Sequence, residues 1–232
     1  MSHIAEKLQA VTSQIVAAAR NAGRNTSEIA LLAVSKTISP DVLMQAYAAG
    51  QRAFGENYLQ EALDKIAALK DCAPGIEWHF IGPIQSNKTR PIAENFDWVH
   101  SVDRLKIAQR LSEQRPADMP PLNICIQVNV SGEASKSGCS PQELPALAHA
   151  VAGLPGLRLR GLMTIPEPAS TDDEQRRPLR ALRELADRLR ADGLALDTLS
   201  MGMSADLDAA VAEGATMVRI GTAIFGERHY AK

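Results

Sequence analysis

Lys36 follows directly on an apolar run, Ile29 to Val34, and Ser35, so that an amine stands at the end of a segment built to be buried. Partial burial disfavours the charged form of an amine and lowers its pKa. A neutral lysine amine can attack an aldehyde and form a Schiff base. The same placement also suits a lysine that reaches to solvent or pairs with a carboxylate. Arg219 sits between Val218 and Ile220, late in another apolar run. A cation among such neighbours needs a partner. A buried ion pair with a glutamate such as Glu56 meets that need, and so does a contact with the ring nitrogen of a cofactor. Two small-residue turns complete the set: Ser200, Gly202 and Ser204 in one, Gly221 and Thr222 in the other. Glycine lets backbone approach an anion closely, and Ser or Thr adds a hydroxyl donor. Ordinary turn and capping roles are the plain alternative for these residues.

The elements that must position these groups alternate along the chain. An amphipathic helix over 4–20 comes first, with Ile4, Leu8, Val11 and Ile15 on one face. Short apolar strands are predicted at 29–34, 52–55, 77–82, 98–102, 123–130, 158–165, 198–202 and 216–221. Helices are predicted at 57–70, 86–94, 103–114, 141–152, 172–191 and 205–213, with another opened by Ser39-Pro40-Asp41 and closed by Gly50. Ser140-Pro141-Gln142-Glu143 has the pattern of a capping box, and Leu179, Leu182, Leu185 and Leu189 form a buried stripe. Strands alternating with helices imply parallel βαβ units, and about eight strands is the number that closes a (β/α) barrel. An open doubly wound sheet competes. It ordinarily carries a Gly-rich first turn for phosphate, whereas the first strand here ends in Ser35-Lys36-Thr37. Pro116 to Pro121 and Pro166 to Thr171 read as loops, so residues 1–232 are expected to form a single α/β barrel domain with an extra N-terminal helix.

In such a barrel the active site forms at the C-terminal ends of the strands, and the loops after strands seven and eight often hold phosphate. Lys36, Arg219, Ser200, Gly221 and Thr222 all fall at such ends. Strand alternation puts Arg219 and Gly221 on one face. A phosphate site, an amine and a partner for a ring nitrogen in one barrel mouth together describe a pocket for pyridoxal 5′-phosphate (PLP).

Composition narrows the rest. The chain has 232 residues, 45% hydrophobic and 22% charged, with net charge −2 and 4% aromatic residues. That balance offers neither a field for nucleic acid nor stacking platforms for bases. Three cysteines, Cys72, Cys125 and Cys139, form no disulfide framework and no zinc motif. Neither a secretory leader nor a span of ~20 apolar residues is visible, so a soluble, cytoplasmic protein is expected. None of the five histidines pairs at metal spacing. The arginines of 172–191 are balanced by Glu174, Glu184, Asp187 and Asp192, which reads as a solvated, ion-paired face.

The segments Ala33-Val34-Ser35-Lys36, Phe54-Gly55-Glu56-Asn57-Tyr58, Trp78-His79-Phe80-Ile81-Gly82-Pro83-Ile84-Gln85-Ser86-Asn87-Lys88, Gly161-Leu162-Met163-Thr164-Ile165, Ser200-Met201-Gly202-Met203-Ser204 and Val218-Arg219-Ile220-Gly221-Thr222 follow one another in a fixed order. So does Asn129-Val130-Ser131-Gly132-Glu133 with Ser135-Lys136-Ser137-Gly138. In these segments the sequence resembles the pyridoxal phosphate homeostasis proteins, relatives of the alanine racemase N-terminal barrel domain. The resemblance implies a modified TIM barrel with PLP carried on Lys36 and Arg219 facing the pyridine nitrogen. It implies phosphate contacts from Ser200, Gly221 and Thr222, with Asn57 and Met203 lining the pocket. It also implies a role in vitamin B6 and amino-acid homeostasis rather than turnover; an open mouth with no lid domain would let PLP pass to an amine or to an apo PLP enzyme.

The residues agree with that role. A permanently charged guanidinium favours an unprotonated ring nitrogen and weakens the electron sink. The chain ends soon after the last strand, so no second domain is expected to complete a racemase site or its dimer, and a monomer is expected. Tyr58 and His79 are candidates for a second acid/base, with packing roles as the plainer reading of both. A weak amino-acid racemase is the enzymatic alternative, and a PLP-free aldolase using Lys36 on a phosphorylated sugar is a third. Lys136, in a loop with Gly132 and Gly138, is a candidate for binding incoming phosphate or a partner, or is simply solvated. Cys139 is a candidate reactive thiol, although nothing near it in sequence lowers its pKa.

Overall fold

The computed structural model describes residues 2–132 and 137–226. Helix α1 (His3–Asn21) starts at Ser2, whose hydroxyl accepts from the Ala5 amide, and buries Ile4, Leu8, Val11 and Ile15. Each such side chain, fully buried, contributes about 1.5–3 kcal/mol. That face packs on α2 (Pro40–Ala48) and on two helices near the C-terminus, α8 (Leu207–Ala212) and α9 (Thr222–Phe225).

Eight parallel strands close a barrel: β1 (Ala30–Val34), β2 (Ala53–Glu56), β3 (Glu77–Phe80), β4 (Trp98–Val102), β5 (Leu122–Gln127), β6 (Leu157–Met163), β7 (Thr198–Ser200) and β8 (Met217–Ile220). Each strand pairs with its sequence neighbour, and β8 pairs back on β1 through Ala30 with Met217 and Ala33 with Ile220. The connecting helices are α2, α3 (Leu59–Leu69), α4 (Thr89–Asn95), α5 (Leu105–Gln114), α6 (Leu144–Ala152), α7 (Asp172–Ala191) and α8. The main core lies between strands and helices, where Leu43, Phe54, Ile92, Ile107, Ile124 and Leu182 are sealed from solvent.

Element boundaries differ from expectation for local reasons. The reciprocal box between Ser140 and Glu143 forms through both backbone amides, but α6 begins at Leu144 after a turn. On α7, Ala186 joins Leu179, Leu182 and Leu189 in the buried stripe, while Leu185 is half-buried. Most arginine pairing on α7 goes to Glu213, just past α8, which receives Arg176, Arg180 and Arg183. In β4 the register with β5 shifts between Val99 and Val102, bracketing a fully buried His100; such bulges re-aim side chains.

Candidate functional site

A cavity of about 320 Å³ opens at the C-terminal ends of the strands. It gathers Lys36 from the end of β1, Asn57 from the end of β2, Met203 from the turn after β7, Arg219 from β8, and Gly221 and Thr222 from the start of α9. Val34, Ile81 and Ile165 supply apolar wall, and Ser204 and Ala205 extend the β7 turn along it. Apolar lining with a few convergent polar groups is the usual make-up of a small-molecule site. Among the described lining residues, Lys36 and Arg219 are the ionisable ones.

Backbone on both sides of Lys36 is clamped. Lys65 of α3 is buried, and its Nζ donates to the Ser35 carbonyl at 2.7 Å and to both Glu56 carboxylate oxygens at 3.0 and 3.1 Å. The Ser35 hydroxyl donates to Glu56 at 2.5 Å. On the other side, the Thr37 amide donates to Glu61 Oε1 at 2.6 Å, and Glu61 also meets Lys65. Thr37 has φ of 65°. A β-branched residue in the left-handed region stores ~1–3 kcal/mol of strain, which persists only where surrounding bonds over-determine it. Burial raises the Glu56 carboxyl, and the Lys65 ammonium works against that rise. Glu56 therefore partners Lys65, and the Glu56–Arg219 pair that the sequence left open as an alternative does not form.

Two glycines let the walls approach. A Cβ on Gly82 would meet the Asn57 carbonyl oxygen at 2.2 Å, so the β3 turn can lie against Asn57 only as glycine. Gly202 has φ of 101°, and a Cβ there would meet Ala210 at 2.6 Å. The β7 turn is thereby packed down on α8, with Met203 and Ser204 at the cavity.

Arg219 is buried at the cavity floor. Its NH1 donates to the Ser200 carbonyl at 2.7 Å and hydroxyl at 2.9 Å, and its NH2 donates to the Thr164 carbonyl at 2.9 Å. Burial pushes the guanidinium down to about 10, with Asp206 working the other way; it stays charged at neutral pH. Ser200 lies one layer below the cavity. Its side chain is sealed, and its hydroxyl is taken by Arg219 and by His100 at 2.7 Å. The serine that reaches the cavity from this turn is Ser204.

A model of the family described as "Alanine racemase, N-terminal domain" matches residues 7–229. The pyridoxal phosphate homeostasis protein of Pseudomonas aeruginosa is 65% identical over 230 residues, covering 99% of this chain and 98% of the relative. The protein of the same name from Escherichia coli K12 is 54% identical over 233 residues, with both chains fully covered. This chain belongs to the pyridoxal phosphate homeostasis protein family. Among solved structures, PipY of Synechococcus elongatus with PLP bound is 39% identical with a TM-score of 0.85, covering 97% of this chain and 100% of that one. The alanine racemase of Corynebacterium glutamicum, 24% identical with a TM-score of 0.72, shares the fold over 98% of this chain and 62% of its own.

The remaining residues singled out by the sequence can be placed in this homeostasis-family barrel. His79 is sealed inside the barrel, away from the cavity lining, and Tyr58 is an exposed residue at the start of α3. Neither is among the described residues that line the cavity. Cys139 is buried, and its thiol is pushed up to about 12 by burial, which contradicts a reactive role. Lys136 lies outside the described residues. Among the described residues there is no group of three His, Cys, Asp or Glu that could hold a metal, and no helix is long and apolar enough to cross a membrane. The sequence alone does not single out Lys65, Glu61, Thr164 or His100. Of these, only Lys65 carries a signal: a lysine at a helix position facing the barrel, four residues after Glu61.

Proposed function

We propose that this chain binds PLP as a Schiff base on Lys36 and serves intracellular vitamin B6 and amino-acid homeostasis, with residues 1–232 acting as one cytoplasmic, monomeric domain. The observation that carries the reading is the convergence of Lys36, Asn57, Met203, Arg219, Gly221 and Thr222 on one cavity. The cavity's chemistry fits the cofactor. Asn57 Oδ1 is buried with no hydrogen-bond partner, an arrangement that costs free energy unless a ligand supplies a donor. Arg219 spends three of its five N–H donors on neutral oxygens, and its cavity placement leaves the rest for a ring acceptor. PLP, when bound, supplies an aldehyde for imine exchange and a π-system that can withdraw electrons.

The residues then divide the work. Lys36, its backbone held by Lys65, Glu56 and Glu61, would hold the cofactor through its amine. Arg219 would meet the ring nitrogen as a donor without giving up a proton, because a guanidinium does not readily part with one. Ser204 and Thr222 offer hydroxyls, and Gly221 close backbone, to the phosphate. Met203 and Ile165, both partly exposed at the rim, border the opening. With Lys36 and Arg219 as the ionisable lining groups among described residues, no second acid/base stands opposite Lys36. That favours a carrier, passing PLP to amines or to apo-enzymes, over a racemase, and no nucleic-acid or membrane partner is invoked.

The test is a PLP titration followed by absorbance, on the wild type and Lys36→Ala, with transfer from the loaded protein to an apo PLP enzyme. Visible absorbance in the wild type, lost in Lys36→Ala, and reactivation faster than by equal free PLP is the expected result. Substrate-dependent exchange of the Cα proton of an amino acid would instead favour the weak racemase.

A further inference from the structure

Arg219 is one end of a hydrogen-bonded chain that runs through the barrel. Beyond Ser200, His100 Nε2 lies 2.8 Å from His79 Nδ1, and His79 Nε2 lies 2.9 Å from Glu77 Oε1. The four residues from Arg219 to His79 are buried, whereas the Glu77 side chain is 48% exposed at the first position of β3. The chain thus starts at the cavity floor, crosses from the β7–β8 wall to the β3–β4 wall, and surfaces at the N-terminal end of the strands. His79 is held in plane by stacking on Trp98, with ring centroids 5.3 Å apart and an interplanar angle of 9°.

The proton positions along this chain have one consistent assignment. The bond from His79 holds the Glu77 carboxyl low, so it is ionised and only accepts. Burial pushes both imidazoles down, His100 further because His79 and Arg219 lie beside it. Glu77 and Asp97 oppose the fall at His79 without reversing it. With both rings neutral, His79 carries its proton on Nε2 and accepts at Nδ1. His100 then carries its proton on Nε2 and accepts at Nδ1. The Ser200 hydroxyl must donate to His100, which leaves its oxygen to accept from Arg219. Every donor points from the cavity towards Glu77, with a cation at one end and a carboxylate at the other. Hydrogen bonds aligned in this way strengthen one another in a low-dielectric interior.

We propose that His100 and His79 are positioning residues for the cofactor ring: they make Ser200 an acceptor, which fixes the Arg219 guanidinium against the ring nitrogen, and they tie that guanidinium to Glu77 as its distant counter-charge. The inference rests on the reading of the cavity as a PLP site. Arg219 alone among these residues lines the cavity, and the other four act through it. A single proton arrangement at Ser200 and the two imidazoles leaves Arg219 one orientation, and a change at the surface carboxylate is then felt at the cavity floor.

The test uses the full-length protein loaded with PLP carrying ¹⁵N in the pyridine ring. Wild type, His100→Phe, His100→Asn and Glu77→Gln are compared by ¹⁵N resonance, visible absorbance and PLP affinity. His100→Phe removes the acceptor for Ser200 and is expected to weaken PLP about tenfold, the size of one bond to a charged group, and to shift the ¹⁵N resonance. His100→Asn restores an acceptor near the Nδ1 position and is expected to recover most of the affinity. Glu77→Gln, at the half-exposed end and outside the cavity, is expected to move the ¹⁵N resonance in the same direction with an affinity loss of about threefold or less. Unchanged ¹⁵N resonance and absorbance in folded His100→Phe and Glu77→Gln would overturn the proposal. If His100→Phe does not fold, Glu77→Gln decides alone, and an unchanged resonance there counts against it. A wild-type protein that takes up no PLP on Lys36 would instead overturn the underlying site reading.

Discussion

Two buried cations, Lys65 behind the backbone next to Lys36 and Arg219 in the cavity lining, are treated in opposite ways. Lys65 has carboxylates from Glu56 and Glu61 and the Ser35 carbonyl around one ammonium. Arg219 has two carbonyls and a hydroxyl, and no carboxylate in contact among the described residues. The first is a fully partnered knot whose effect is geometric, since it holds the backbone on both sides of Lys36. The second keeps its charge and part of its donor set in reserve, at a free-energy cost the fold tolerates. Full pairing identifies the structural group, and incomplete pairing beside a cavity identifies the functional one.

The sharpest way to break this contrast is to remove Lys65. Lys65→Met leaves Glu56 buried and unpaired, and a loss of about 3–5 kcal/mol is expected in denaturant unfolding. Adding Glu56→Gln to that variant should recover much of the loss, because the orphaned charge disappears. A single-variant loss below about 1 kcal/mol would mean the knot is not a compensated pair.

A smaller effect comes from pH. His79 and His100 stay neutral in the fold below the ordinary histidine value, so the unfolded chain binds protons that the folded chain refuses. Their contribution is intact above about pH 6.5 and is lost as pH falls below it, at about 1.4 kcal/mol per pH unit for each imidazole. Glu56 and Asp97, raised by burial, act in the opposite direction nearer the ordinary carboxylate range. Unfolding free energies between pH 7.5 and 5.5 should therefore decline with acid. A flat profile would mean that the barrel interior accommodates a charged imidazole.

The smallest expected change in stability belongs to Arg219→Met. Replacing an incompletely paired buried charge by an apolar side chain of similar length should leave stability within about 1–2 kcal/mol of wild type. The same variant should bind PLP at least about tenfold more weakly by titration. A stability loss as large as that of Lys65→Met would erase the distinction between the two cations.

Much of the barrel is legible in the sequence because each strand is a short apolar run between turn signals, and α1 and α7 show helical periodicity at Ile4, Leu8, Val11 and Ile15 and at Leu179, Leu182 and Leu189. The C-terminal strand ends then point to Lys36, Arg219, Gly221 and Thr222, and to Ser200, which lies outside the cavity lining; Asn57 and Met203 come from the family resemblance. What does not show is everything that depends on which residues meet across the barrel. Ser200 and His100 are a hundred positions apart and form one bond. Strand alternation cannot say whether a serine beside a glycine turn faces the cavity or the layer beneath it, and here Ser204 faces it. Lys65 shares the inward face of α3 with Ala62 and Leu69, but the Glu56 carboxylate that pairs with it belongs to β2 and is not visible from the helix alone.

The most direct measurement is borohydride reduction of the PLP-loaded protein followed by peptide mapping, with Lys65→Met as a second sample. The expected result is one phosphopyridoxyl group on Lys36 in the wild type, with lower occupancy at the same residue once the clamp is loosened. An adduct spread over surface lysines, or none at Lys36, would contradict the claim that this cavity exists to hold PLP on that amine.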